Sequence, residues 1–242
     1  MIKFFRQIRQ RLLSEGKTEK YLKYAIGEIV LVVIGILIAL SINNWNEERK
    51  QRQKEMVNLI AIKGDLENDL NTEFIPGISY YSQANKDLSR LKDFYLNKAT
   101  VPKDSLLKYF LNNQSEWYFI LNKGAYENLK STGIDIISND SLRNKISSLY
   151  SNGYPELENR DNIIKQFYDN KFRPILSDNI ILYDSILSKD DFDFIKNSKQ
   201  IGNRIMRHYT LRIWLFARIE LMKSKVELLI SEIDKELEQL NK

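Results

Sequence analysis

Apolar and polar positions alternate along this chain in three regimes. From Tyr24 to Ile42 the sequence YAIGEIVLVVIGILIALSI is apolar all round, and Glu28 is its one charge. At about 1.5 Å per residue this run reaches roughly 28 Å, close to a hydrocarbon core of about 30 Å. Tyr21 and Tyr24 stand at one edge and Trp45 at the other, where interfacial aromatics belong. The pattern predicts one transmembrane helix over residues 20–45.

The second regime is NEERKQRQKE, residues 46–55, which has no apolar side chain and no Gly or Pro. Good helix formers dominate it, so a solvated helical stalk is expected to continue the span. From Met56 the third regime begins. Met56, Leu59, Ile62, Leu66 and Leu70 recur every three or four residues, one face of a helix. Pro76-Gly77 reads as the end of that helix. Near the other terminus Ile219, Val226, Ile230, Ile233, Leu237 and Leu240 keep heptad-like spacing, as in a coiled-coil seam. The two stripes are expected to pack antiparallel within one chain, and pairing of the C-terminal seam with its own copy is the alternative.

Shorter helices fill the interval. Pro102 opens one to about Leu111, Gly124 and Gly133 bracket another, and Asn139-Asp140-Ser141 supplies caps for a third. Gly153 and Pro155 open a fourth, which Pro174 stops. The expected fold class is therefore all-α: a transmembrane helix, a stalk, and an extramembrane antiparallel helical bundle over residues 56–242. Trp117, Tyr118, Phe119, Tyr126, Tyr150, Tyr154, Phe167, Tyr168 and Phe172 make the middle aromatic-rich. They line either a pocket or a core.

Charge changes the picture only when divided. The net charge of +5 resides in residues 1–23, which hold seven Lys or Arg and two Glu. The remainder carries thirty residues of each sign, so a nucleic-acid partner is not expected. Met1–Leu13 has a basic amphipathic pattern, and residues 1–19 are expected at an anionic cytoplasmic surface. Seven basic residues precede the span, against Arg49, Lys50, Arg52 and Lys54 just after it. This asymmetry places the N-terminus in the cytoplasm and the body outside it, in a Gram-negative cell the periplasm. Ala39-Leu40-Ser41 resembles a cleavage site, but the 23 residues before the span are long for a leader and carry two Glu, so an uncleaved anchor is expected.

Candidate functional residues are few. Gly35 and Ala39 form a small-xxx-small pair that lets two membrane helices approach closely. Glu28 reads either as a contact for a polar group on a partner helix or as a side chain reaching back toward Lys20 or Lys23. Cys is absent, which excludes thiolate chemistry, and His208 is the single histidine. It has three arginines nearby and no carboxylate at triad spacing, so a surface or rim position is expected. Asp190, Asp191 and Asp193 lack the spacing of a calcium loop and read as the start of a helix. No phosphate loop, nucleophile elbow or zinc motif occurs. No catalytic, cofactor or metal residues are assigned.

The first fifty residues carry a resemblance. The basic opening at Phe4–Arg9, the span Tyr24–Leu40 and the exit INNWNE at Ile42–Glu47 closely resemble the N-terminus of a large family of uncharacterised single-span membrane proteins of Bacteroidota. Gly124–Gly133, followed by Leu142-Arg143, is similar to that family's middle. The resemblance implies topology and adds no chemistry. Three functions fit these readings. The first is a membrane-anchored module that binds or scaffolds proteins, as a homo-oligomer or with another protein. The second is a ligand sensor signalling through a partner, since only about 23 residues precede the span. The third is an enzyme with an unrecognised acid/base pair. The first is favoured, with the bilayer and a protein as partners and no cofactor.

Overall fold

A computed structural model describes residues 18–113, 116–181 and 187–241. The basic segment expected over Met1–Leu13 lies outside them. Every regular element among the described residues is helical. The helices are α1 (Thr18–Asp69), α2 (Ile75–Tyr95), α3 (Lys103–Leu111), α4 (Gly124–Thr132), α5 (Asp140–Ser148), α6 (Tyr154–Phe167), α7 (Arg173–Ser177), α8 (Lys189–Asn197) and α9 (Lys199–Leu240). The chain divides at Lys54/Glu55 into two compact units.

In the first unit the described chain is the N-terminal part of α1. Its large apolar side chains from Ile29 to Ile42 are all exposed. This helix is long and apolar enough to cross a membrane. Polar residues 46–54 continue the helix and are likewise exposed.

The second unit is a bundle of three long helical runs. Lys63 pairs with Asp234 at 2.6 Å, the Arg212 guanidinium covers the Tyr81 ring, and Tyr95 donates to the Ile195 carbonyl just before α9. As the first run advances, its partners in and beside α9 recede, so the two are antiparallel in one chain. The run from Asp140 does the same. Asn139 donates to Glu236, Lys145 pairs with Glu232, and Phe172 packs beside His208. Leu59, Ile62 and Leu66 of the expected stripe are fully buried, as are Ile219, Val226 and Ile233 of the seam. The intramolecular pairing of the two stripes thus holds.

The proline positions correct the sequence reading. Pro76 does not end a helix, nor does Pro174, while Pro155 stands in the first turn of α6 as expected. Each follows a five-residue π-turn: Leu70–Phe74, Leu149–Gly153 and Tyr168–Phe172. The residue just before each proline donates its N–H five residues back, Ile75 to Leu70, Tyr154 to Leu149 and Arg173 to Tyr168. A proline ring inside an α-helix collides with the carbonyl four residues earlier and leaves it without a donor. The wider turn takes that carbonyl out of the ring's path, and the helix resumes. Pro102 behaves as expected and begins α3 as its N-cap.

Two apolar clusters stack along the bundle. One gathers Leu59, Ile62, Leu66, Phe74, Tyr154, Ile219 and Val226. The other gathers Leu88, Leu91, Phe110, Phe172, Ile195 and Ile205. The aromatic-rich middle is largely core: Tyr126, Tyr150, Tyr154, Tyr168 and Phe172 are buried, while Tyr118 is exposed. Gly202 lets α9 approach α2, because a Cβ there would meet the Tyr95 ring at 2.9 Å.

Truncating a side chain in the first cluster should leave a cavity that the bundle cannot close. Leu66→Ala is expected to cost about 2–5 kcal/mol in denaturant unfolding. Gln53→Ala, in the exposed polar stretch, should leave the midpoint unchanged. Equal small effects would mean that the stripe is not core.

Candidate functional site

The most unusual chemistry in the body is a carboxylate between the two apolar clusters. Glu116 lies on the irregular segment between α3 and α4, and its side chain is 5% exposed. Four donors converge on it. His208 Nε2 lies 3.1 Å from Oε1, with Arg212 Nη2 at 2.7 Å and Arg212 Nε at 3.2 Å from the same oxygen. The Tyr81 hydroxyl donates to Oε2 at 3.3 Å. The side chains of His208 and Arg212 have no exposed surface.

Local structure delivers each group. His208 and Arg212 are four residues apart on α9, hence on one face. Tyr81 comes from α2 across the bundle. Glu116 arrives because Trp117 and Phe119 press onto α2 at Gly77, where a Cβ would stand 3.1 Å from the Phe119 ring and 3.2 Å from Trp117. A side chain at Gly77 would press on both rings, which would have to give by a few tenths of an ångström.

The electrostatics follow. Burial alone would raise the Glu116 pKa, but the His208 hydrogen bond and the Arg212 charge outweigh it and hold it below its ordinary value. Burial lowers the His208 pKa, with Glu116 opposing and Arg212 reinforcing. A neutral imidazole that donates through Nε2–H suits both partners, and Phe167, Tyr168 and Phe172 surround the ring. The arrangement is one buried anion paired with one buried cation. Its atoms are sealed from any substrate, so the geometry locks the helices together.

The first run carries a second set of acids. Glu55 accepts from the Ser138 N–H and hydroxyl, and Asp65 from the Ala125 N–H in the first turn of α4. Asp69 accepts from Asn122 N, Asn122 Nδ2 and the Tyr154 hydroxyl at 2.7–2.9 Å. Glu73 accepts from the Ile120 N–H. Residues 117–122 form no strand, and these side chains satisfy the backbone donors that a sheet would otherwise take. Asp69 is fully buried, and burial raises its pKa against the pull of those hydrogen bonds.

Sequence reasoning missed this. His208 was expected at the surface, yet it is buried, with a carboxylate 92 residues away as its partner. A local search for triad spacing cannot see such a pair. Asp65, Asp69 and Glu73, four apart along one helix face, are the signal that a reader of the sequence had for the second set. Asp190 and Asp191 do begin a helix, α8, which Ser188 caps. Among the described residues no three of His, Cys, Asp and Glu gather as metal ligands.

The residues singled out in the span belong to the first unit. Gly35 has open space where a Cβ would stand, and Ala39 is exposed. Glu28 is half-buried and lines a small groove with Lys23, Tyr24, Gly27 and Leu31. At about 100° per residue, Gly35 and Ala39 fall within roughly 20° of Glu28 around the helix. The three expected residues therefore share one face.

Compared with known families, the sequence matches DUF6090, a family of unknown function, over residues 28–208. The chain belongs to that family. The DUF6090 match takes in Glu28, Gly35, Ala39, Glu116 and His208, while the Phe4–Arg9 opening and most of α9 lie outside it. No curated protein and no solved structure matches the chain.

The buried cluster makes stability depend on pH. His208 is depressed in the folded state, so its contribution is complete above about 6.5, the ordinary histidine value, and is lost as pH falls through the folded value. Glu116, also depressed, acts in the same direction at lower pH. Asp69 and Asp161, both raised by burial, act oppositely, since their protonation relieves a cost. Unfolding free energy should therefore begin to fall just below pH 6.5. His208→Gln keeps a donor for Glu116 and should abolish that first decline. An unchanged profile would assign the titration to another group.

Proposed function

We propose that this DUF6090 chain is a single-span membrane protein whose helical body binds or scaffolds other proteins, and which associates with copies of itself. The exposed apolar face of α1 from Ile29 to Ile42 carries this reading. Fourteen residues of helix with no charged side chain and with every large apolar side chain exposed belong in lipid, because apolar area in water costs about 25 cal/mol per Å². The excess of Lys and Arg before the span supports a cytoplasmic N-terminus and a body on the other side, the periplasm in a Gram-negative cell. A body without net charge, and a buried acid–base pair engaged in holding helices together, favour binding over catalysis.

Self-association through the span is supported by the shared face of Glu28, Gly35 and Ala39. Small residues on that face let two backbones approach closely. No cofactor enters this reading.

Two measurements test it. A reporter active only outside the cytoplasm, fused after Lys242, should be active, and activity of a cytoplasm-only reporter there would reverse the orientation. Gly35→Ile should weaken self-association in membranes, because the added side chain separates the backbones. Association indifferent to this change would leave Gly35 facing lipid.

A further inference from the structure

Helix α9 carries two apolar seams. The inner one, Leu215, Ile219, Met222, Val226 and Ile233, is buried in the bundle. The large side chains of the outer one lie roughly 130° around the helix from the inner seam and are exposed. Trp214, Leu221 and Leu228 stand seven residues apart on it, 60%, 47% and 58% exposed. Ala217, Ser224 and Ser231 fall three residues after each, also exposed. Alternating steps of three and four are the pattern of a two-helix seam, and small residues at every second position let the backbones come close. A groove of about 330 Å³ opens beside Trp214, and another of about 270 Å³ beside Leu228.

We infer that this outer seam is a docking surface for α9 of a second copy, lying parallel to the first. Charge decides both the occupant and its direction. Glu220 and Glu227 flank the seam on one side, and Arg218 and Lys225 on the other. Most charges here are already engaged in the chain: Arg218 with Glu156, Glu227 with Lys223, and Glu232 with Lys145. Among the described residues Glu220 and Lys225 enter no ion pair. They stand five residues apart, on opposite flanks of one helix, so they face away from each other. In a parallel pair, a residue on the first flank meets the residue five positions later on the partner's second flank. Glu220 of each copy then meets Lys225 of the other, and symmetry makes two such pairs. An antiparallel pair would set acid against acid. The same step sets Glu227 against Glu232 of the partner, two acids already paired with Lys223 and Lys145 in their own chain, so the Glu220–Lys225 contact carries the direction.

The contact is small. Three large side chains per copy fall short of the roughly 800 Å² per partner that free-standing dimers bury. Such a seam works between chains already held near each other, and a shared membrane supplies that proximity. In this respect the inference rests on the proposed membrane anchoring and names the extramembrane surface of the same self-association. The seam lies beyond residue 208, where the family match ends.

The absence of cysteine makes the test direct. Full-length Leu221→Cys in lipid vesicles, under mild oxidation, should form an inter-chain disulfide, as should Trp214→Cys and Leu228→Cys separately. Lys171→Cys, exposed and off α9, is the control. Glu220→Lys should lower the Leu221→Cys dimer yield about two- to fivefold, the scale of an exposed ion pair. Adding Lys225→Glu should restore it. Cross-linking of Leu221→Cys no greater than the control overturns the inference. Dimers formed only when Trp214→Cys and Leu228→Cys chains are mixed would overturn the parallel direction. Loss of the Leu221→Cys dimer while association remains sensitive to Gly35→Ile removes the seam and spares the span. Seam cross-links indifferent to Gly35→Ile remove the span contact alone.

Discussion

The body is organised around one charge that has been taken out of water. Glu116 sits between two apolar clusters and is stable there only because Arg212 neutralises it and His208 and Tyr81 complete its hydrogen bonds. Removing one partner from a buried pair of this kind costs about 3–5 kcal/mol, since the other is left uncompensated. The pair itself contributes less to net stability than to specificity. Sliding α9 by one turn against α2 would move Arg212 away from the carboxylate, so the register of the bundle is fixed at this level. Apolar clusters of Leu and Ile tolerate such slips far better.

The same economy recurs along the first run. Glu55, Asp65, Asp69 and Glu73 accept from the N–H groups of Ser138, Ala125, Asn122 and Ile120, in the irregular chain on either side of α4 and at its first turn. Helix α1 thus takes the part that a neighbouring strand has in a sheet. Acids on its surface would ordinarily be read as a wet face. Here part of that face is an internal contact, and this is why an irregular segment can lie against a helix and still be buried.

Much of this was legible in the sequence because it depends on local period. The span follows from length and the absence of charge, and the stripes at Met56–Leu70 and Ile219–Leu240 follow from steps of three and four. Their pairing within one chain was legible too. The hub was not, because Glu116 and His208 meet across 92 residues and neither has a local mark. The prolines misled for a different reason. Pro76 and Pro174 are helix breakers by propensity, but a π-turn before each lets the helical run continue, at less cost than abandoning it. Each such turn also shifts the buried face around the axis, so a strict 3.6-residue count fails across it.

The long reach of the hub has a consequence for how the chain is made. Tyr81 and Glu116 leave the ribosome well before His208 and Arg212. Until the last helix arrives, the carboxylate has no cation and cannot enter an apolar interior except by giving up its charge. Burial of Glu116 in its charged form therefore waits for the last helix. A chain halted short of Arg212 would remain without that cation, exposing apolar surface to the machinery that removes incomplete proteins.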